Sequence, residues 1–347
     1  MRAGIIGLPQ SGRKTIFKAI TKLRGETELD LSSQTSPVVV TITIYDPRIE
    51  VLKEIFGSKK KVFLKMEYLL PAEFSSSAKG EKPIWSQVRT CDELILVLRN
   101  FELAGQKPDP ESDFWKVEEE MILNDLMVIE KRIEKISSDR RKGKIERDLE
   151  KERELLEQCK EVLEEGRPLR EKKELISDPM LKGFTFLSAK PLLVVVNNEE
   201  DIVSVPKWKK EPIAAKTIAV RGKLEMELSE MDAKEAEEFR SLYELKESGI
   251  DLLIKESFNS LNKITFFTAG DKEARAWAVE KGTKAIDAAG EIHSDMKKGF
   301  ISAEVISFEE LKQCGSISEA RKRGLLRVEG KDYVVQDGDV ITFRFNV

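Results

Sequence analysis

An α/β fold built on a mostly parallel sheet, with an inserted antiparallel helical hairpin and a small closing β/α module, is what this sequence predicts. Three observations carry it. Short apolar, β-branched runs alternate with helically spaced segments before residue 113 and again after residue 170, as strands joined by crossover helices do. Between them the alternation gives way to dense mixed charge over an apolar 4-3-4-3 spacing. Over the last third, alternating runs are separated by glycine-containing turns. The chain therefore divides into a first domain over 1–112 and 171–262, a hairpin insertion over 113–170 and a last domain over 263–347.

The first element is the apolar run Ala3 to Ile6, read as a strand. It enters Gly7-Leu8-Pro9-Gln10-Ser11-Gly12-Arg13-Lys14-Thr15, and Ile16 to Ile20 follows with helical spacing. Strand, glycine-bounded loop and helix is the context of a phosphate-binding loop. The glycines permit a tight turn with inward amides, and the helix N-terminus adds about half a positive charge at the same point. Gly7, Gln10, Ser11, Gly12, Arg13, Lys14 and Thr15 are therefore the candidate phosphate-binding residues. The loop departs from the pattern G-x-x-x-x-G-K-[ST]: Arg13 stands where lysine belongs, and Lys14 where a hydroxyl normally holds Mg²⁺. Arginine is a wide planar fork rather than a compact point charge, and a lysine cannot ligate a cation. Taken alone, the segment also fits an incidental strand–turn–helix with basic residues.

Gly25 to Pro37 is polar and reads as a loop. Val38 to Tyr45, Lys61 to Leu70, Glu93 to Leu98, Leu192 to Val196 and Thr217 to Val220 read as strands; the continuously apolar ones suit a parallel sheet covered on both faces. From Trp115 to Glu165, Ile122, Leu126, Ile129, Ile133 and Ile136 form a coiled-coil seam. Ser137 to Lys144, with Gly143, reads as a turn. Ile145, Leu149, Leu156, Cys159 and Leu163 continue the seam, interrupted at Glu152, and Gly166 and Pro168 end it. Interspersed charges of both signs make a solvated helical face rather than a nucleic-acid surface. In the last third, Phe300 to Ile306 and Leu325 to Phe345 alternate around a helix-like Phe308 to Gln313. Asp337-Gly338 reads as a hairpin turn.

The chain has 347 residues, 35% of them charged, with a net charge of −4, which argues against a broadly basic nucleic-acid binder or readout of DNA sequence. Three scattered cysteines and one histidine, His293, supply neither a metal cluster nor a disulfide framework and suit a reducing cytoplasm. A strand beginning near Met1 leaves no room for a signal peptide, and no apolar run reaches the ~20 residues of a membrane helix. The expectation is a cytoplasmic chain with no membrane contact.

Several runs resemble the YchF subfamily of Obg-related P-loop NTPases, the Obg-like ATPases. They include Phe266-Phe267-Thr268-Ala269-Gly270, Ala288-Ala289-Gly290-Glu291-Ile292-His293-Ser294-Asp295, and Glu329 to Val340 ending in Phe343-Arg344-Phe345-Asn346-Val347. Gly7-Leu8-Pro9 and Lys190-Pro191-Leu192-Leu193-Val194-Val195-Val196-Asn197 extend the likeness across the chain. The resemblance implies a P-loop NTPase domain, the coiled-coil hairpin and a C-terminal β-grasp TGS domain linked to RNA or ribosome contact. It implies ATP or GTP as ligand. Asn197-Asn198-Glu199-Glu200 falls at the family's base-reading N-x-x-E, where glutamate goes with a preference for ATP. Lys223, in Arg221-Gly222-Lys223, falls at the second base-side motif, so Asn197, Asn198, Glu200 and Lys223 are the candidate base-binding residues.

The departures gather at the chemistry. The family's D-x-x-G aligns with Leu70-Pro71-Ala72-Glu73, so both key residues are missing, and the loop histidine after the third strand is absent between Leu103 and Asp113. Support for Mg²⁺ is poor, and no metal ligand is assigned. Losing electrostatic parts of phosphoryl transfer costs ~10²–10³ in rate each. Three readings follow: an active ribosome-associated ATPase or GTPase, a nucleotide binder with weak or lost hydrolysis, and a nucleotide-free adaptor using the hairpin and TGS domain. The second is the one the residues favour.

Overall fold

The computed structural model of the chain describes residues 1–22, 31, 34–72, 84–141, 147–242 and 248–346. In chain order its strands are β1 (Arg2–Ile6), β2 (Val38–Ile44), β3 (Lys60–Val62), β4 (Leu64–Leu70), β5 (Glu93–Asn100), β6 (Leu192–Asn198), β7 (Ala215–Val220), β8 (Lys263–Ala269), β9 (Glu273–Glu280), β10 (Phe300–Ser307), β11 (Arg327–Glu329) and β12 (Asp339–Phe345). The helices that matter below are α1 (Arg13–Lys22), α2 (Arg48–Phe56), α3 (Ile84–Val88), α4 (Pro110–Arg141), α5 (Arg147–Glu164), α6 (Lys173–Ile176), α7 (Gly222–Leu228), α8 (Ala233–Leu242), α9 (Gly249–Ser260) and α10 (Ala285–Ile292). Residues 1–42 with 67–260 form one compact unit, and 43–66 with 261–347 a second.

The first unit is a doubly covered sheet in the order β2-β4-β1-β5-β6-β7. β1 runs parallel to β4 and β5, β5 to β6, and β6 to β7. The middles of its central strands are apolar because both faces are buried: every residue of β6, from Leu192 to the polar Asn197 and Asn198 at its end, is buried. Crossover connections leave the carboxyl ends of β1, β5, β6 and β7 at one edge, where ligands of such sheets bind. A buried carboxyl group sits at the opposite end. Glu93, fully buried at the start of β5, accepts a hydrogen bond of 2.6 Å from Ser257 Oγ and another from Ser260 Oγ on α9. Burial pushes its carboxyl up to about 8 against the lowering effect of the two hydroxyls. The folded state therefore holds a proton that the unfolded chain has released, and stability falls as pH rises from the ordinary glutamate range to about 8. Glu93→Gln, which keeps a hydrogen-bonding group but does not titrate, is expected to flatten the decline in urea midpoint between pH 5 and 8. An unchanged slope contradicts this.

The helical insertion is an antiparallel hairpin. Ion pairs descending α5 climb α4: Glu150 with Arg140 at 3.3 Å, Glu152 with Arg132 at 2.6 Å, and Lys160 with Glu130 at 2.9 Å. Ile122, Ile129, Ile136, Leu156, Cys159 and Leu163 are buried in the seam, with Leu126, Ile133 and Leu149 partly so. Glu152 breaks the apolar pattern because it receives the Arg132 guanidinium through two bonds of 2.6 and 2.7 Å. α4 starts at Pro110 and continues to Arg141, so the expected turn begins later than Ser137; Gly143 and Ile145 lie outside the described residues.

The second unit contains the C-terminal β-grasp TGS domain together with residues 43–66. Its sheet runs β11-β10-β12-β8-β9-β3, with β8 and β9 an antiparallel hairpin and β12 parallel to β8 beneath α10. Lys61 to Leu70, expected as one strand, is two: β3 adds to β9 in this sheet, and β4 joins the sheet of the first unit. Asp337-Gly338 does not close a hairpin, because β11 and β12 both pair with β10 and not with each other. Asp337 Oδ1 instead accepts from Thr265 N at 2.8 Å, and Gly338, at φ 86°, donates to Thr265 O at 2.8 Å. The pair is used to seat β12 beside β8.

Candidate functional site

Four segments meet at the carboxyl edge of the first sheet: the loop after β1, the end of β5, the end of β6 and the turn after β7. The register sets them level, with Asn197 opposite both Arg99 and Val220. The loop is held by the close approaches its glycines permit. A Cβ on Gly7 would lie 2.5 Å from Val97 O and 2.6 Å from Ser11 Oγ. Gly12 has φ 88°, and a Cβ there would land on Asn197 Nδ2. Gln10 forms the exposed tip at φ 65°. Ser11 N donates to Leu8 O at 3.2 Å, and Ile16 N to Gly12 O at 3.0 Å starts the helical ladder.

Asn197 is the bracket of the site. It is 4% exposed, donates through Nδ2 to Ser11 O at 3.1 Å and accepts through Oδ1 from Gly222 N at 2.9 Å. One side chain thus ties the loop after β1 to the turn after β7. Gly222 is required by the same contact: a Cβ would sit 2.7 Å from Asn197 Oδ1 and 2.8 Å from Ile16 Cδ1. Asn198 turns the other way. It donates to Ile202 O and Ser204 O at 3.0 and 2.9 Å and accepts from Asn100 Nδ2 at 2.7 Å, which commits its amide to the loop behind β6. Glu200 and Lys223 meet at 2.6 Å, and the carboxylate holds the ammonium above its ordinary range. Arg221 Nη1 adds a bond of 3.3 Å to Glu200 O. The structure therefore brings Asn197, Glu200 and Lys223 beside the phosphate-type loop and engages Asn198 elsewhere.

The cations of the loop differ in placement. Arg13 is 6% exposed, whereas Lys14 and Thr15 are half-buried in the first turn of α1. That turn directs its amides away from the helix toward the loop, the arrangement that receives anions. Ser11 Oγ is buried without a hydrogen-bond partner among the described residues, which leaves one hydroxyl donor of the loop uncommitted. A polyphosphate fits this donor set. For a divalent cation the described residues offer no such fit: the side chain at the metal-supporting end of β4 is Leu70, fully buried, and Lys14 repels rather than ligates. Leu70 O accepts from Gln34 Nε2 at 3.0 Å and Ala72 N donates to Gln87 Oε1 at 2.9 Å, so two glutamines that belong to no motif brace this end. Glu73 and most of Gly25 to Pro37 lie outside the described residues. His293 caps a short helix by accepting from Asp295 N at 3.2 Å.

Comparison with known proteins agrees with this architecture. The chain is 36% identical to the "Ribosome-binding ATPase YchF" of Bacillus subtilis over 372 aligned residues, which cover all of both proteins. This chain belongs to the YchF family. The family model described as "YchF-GTPase_C: Protein of unknown function (DUF933)" matches residues 263–346, the TGS domain. The "Obg-like ATPase 1" of Oryza sativa is 32% identical over the whole chain and 92% of its own length. The structure of the Schizosaccharomyces pombe YchF GTPase superposes with a TM-score of 0.82 at 26% identity, over 99% of this chain and 97% of the other. Within the YchF family, then, this chain keeps the scaffold while Arg13, Lys14 and Leu70 occupy the positions discussed above.

Proposed function

We propose that this YchF-family chain is a cytoplasmic nucleotide-binding protein that associates with the ribosome and in which hydrolysis is weak or lost. Support for nucleotide and ribosome comes from relatives named ribosome-binding ATPases, 36% and 34% identical across the chain. The observation that carries the nucleotide part is the Asn197 bracket, which holds a phosphate-type loop and a base-side turn in one rigid frame. The first turn of α1, with Lys14 and Thr15, would hold the phosphates of ATP or GTP. Asn197 would position the base-side turn, while Glu200 and Lys223 would flank the base. A bound nucleoside triphosphate supplies the γ-phosphate whose presence or loss distinguishes two states of such proteins. Glu200, one methylene longer than the aspartate that accepts from guanine, supports adenine.

Weak hydrolysis follows from charge placement. Phosphoryl transfer needs positive charge bridging the β- and γ-oxygens. Here the lysine-position cation is buried, and the aspartate position is a buried leucine. Calorimetric titration with ATP and GTP, with and without EDTA, is expected to give affinities that agree within about threefold, less than 1 kcal/mol. A loss of more than about tenfold on chelation overturns the metal-independent reading. Phosphate release with ATP and Mg²⁺ is expected not to exceed that of Lys14→Ala, and turnover clearly above that control makes the chain an ATPase. Burial of Arg13 favours one second reading, a nucleotide-free adaptor, which absence of binding at millimolar ATP and GTP would establish.

A further inference from the structure

Where the hairpin leaves the first sheet, α4 and the end of α5 border a groove of about 810 Å³, within the range of specific ligand pockets. Its floor is apolar: Trp115, Ile122, Leu126 and Leu163 line it. Leu123, on the same stretch of α4, is 51% exposed, and Met127 one turn on is 60% exposed, which extends the apolar surface beyond the groove. Its charge is one-sided. Glu111, Glu118, Glu119 and Glu164 line it, against Lys210 as the one lining cation among the described residues; Glu164 also pairs with Lys160 at 3.6 Å beside the groove.

Two further observations say what charge it takes. Glu118 is 1% exposed and forms a buried ion pair with Arg170 through one oxygen, and its second oxygen, Oε2, has no hydrogen-bond partner among the described residues. Arg170 Nη1 is likewise without a partner, so this pair offsets its own charge inside the wall, and the charge the groove offers to a ligand is that of the exposed Glu119 and Glu164. Second, the Lys210 ammonium already lies 4.1 Å from the centre of the Trp115 ring, so the groove stabilises a cation against an aromatic face.

We propose that this groove receives a basic amphipathic helix of a partner protein, its aliphatic side chains on the Trp115–Leu126 floor and its lysines or arginines against the exposed Glu119 and Glu164 at the rim. Helix-in-groove docking uses apolar anchors at such spacing, and the acidic rim steers a basic partner while repelling nucleic acid. The inference is independent of nucleotide binding, since none of these residues belongs to the loop after β1.

The test is fluorescence anisotropy with the full chain and a labelled amphipathic Leu/Lys helical peptide, the same peptide with every Lys changed to Glu, and polyuridine. The Lys peptide is expected to bind at least about tenfold more tightly than the Glu peptide. Binding is expected to weaken about tenfold or more in Glu119→Lys/Glu164→Lys and severalfold in Leu123→Ser, both surface changes that leave the fold intact. The same charge change in the other compact unit, Glu291→Lys/Glu309→Lys, should alter it by less than about twofold. Equal binding by all variants overturns the proposal, as does polyuridine binding that depends on Glu119, Glu164 or Leu123.

Discussion

Replacing Gly12 with alanine is expected to lower affinity for ATP and GTP by more than about 100-fold, or ~2.7 kcal/mol, measured by calorimetry. Two effects coincide at this position. The backbone sits at φ 88°, which costs an alanine on the order of 1 kcal/mol, and the added Cβ would occupy the place of Asn197 Nδ2. One of the two must move. If Asn197 moves, it loses Ser11 O and Gly222 N and the two loops separate; if the loop moves, the first turn of α1 loses its aim. Gly166→Ala is the control: φ is 70°, but nothing lies within 4 Å of the new Cβ, so it carries the backbone penalty alone and should bind nucleotide normally. A folded Gly12→Ala protein, shown by an unchanged circular dichroism spectrum, that binds ATP within about threefold of the parent would remove the loop from the nucleotide reading.

The parts of this molecule legible in sequence are those governed by near neighbours. The continuous apolar run Leu192–Val196 reads as a strand covered on both faces, and it is the interior strand β6. The seam from Ile122 to Leu163 specified two facing helices because its spacing is a property of one helix surface. Glu152 read as a flaw, since its partner Arg132 lies on the other helix and no local pattern links them. The site divides the same way. Gly7, Gly12 and the first turn of α1 announce themselves by spacing, whereas the contact that makes Gly12 obligatory comes from Asn197, far along the chain. Asn197 and Asn198 are adjacent and chemically identical, yet strand alternation sends one side chain to the loop after β1 and the other behind β6. Nor does any local signal say that Lys60–Val62 joins the second sheet while the strands on either side of it, β2 and β4, lie in the first, because a strand at the edge of either sheet has the same composition.

Asp125→Ala is expected to destabilise the first unit by about 3–5 kcal/mol, the range for removing one partner from a buried ionic network. Asp125 is completely buried on α4 and accepts four bonds: Leu187 N at 3.0 Å, Ser188 N at 2.8 Å, Ser188 Oγ at 2.8 Å and Arg89 Nη1 at 3.2 Å. Its burial raises the carboxyl pKa while these four donors oppose that shift, so the group is held by hydrogen bonds rather than by solvent. Alanine strands two backbone amides and a hydroxyl and removes the carboxylate facing Arg89, which keeps Thr185 O at 3.3 Å, and each orphaned buried donor costs ~1–3 kcal/mol. The milder change Asp125→Asn keeps one acceptor oxygen and turns a donor toward the other partners, so it should fall between parent and alanine. The consequence reaches the site through the chain: residues 187–188 lead directly into β6, whose far end carries Asn197. Urea denaturation should therefore rank the parent first, the asparagine variant second and the alanine variant last. An alanine variant within about 1 kcal/mol of the parent would mean that the hairpin is anchored by its apolar seam alone.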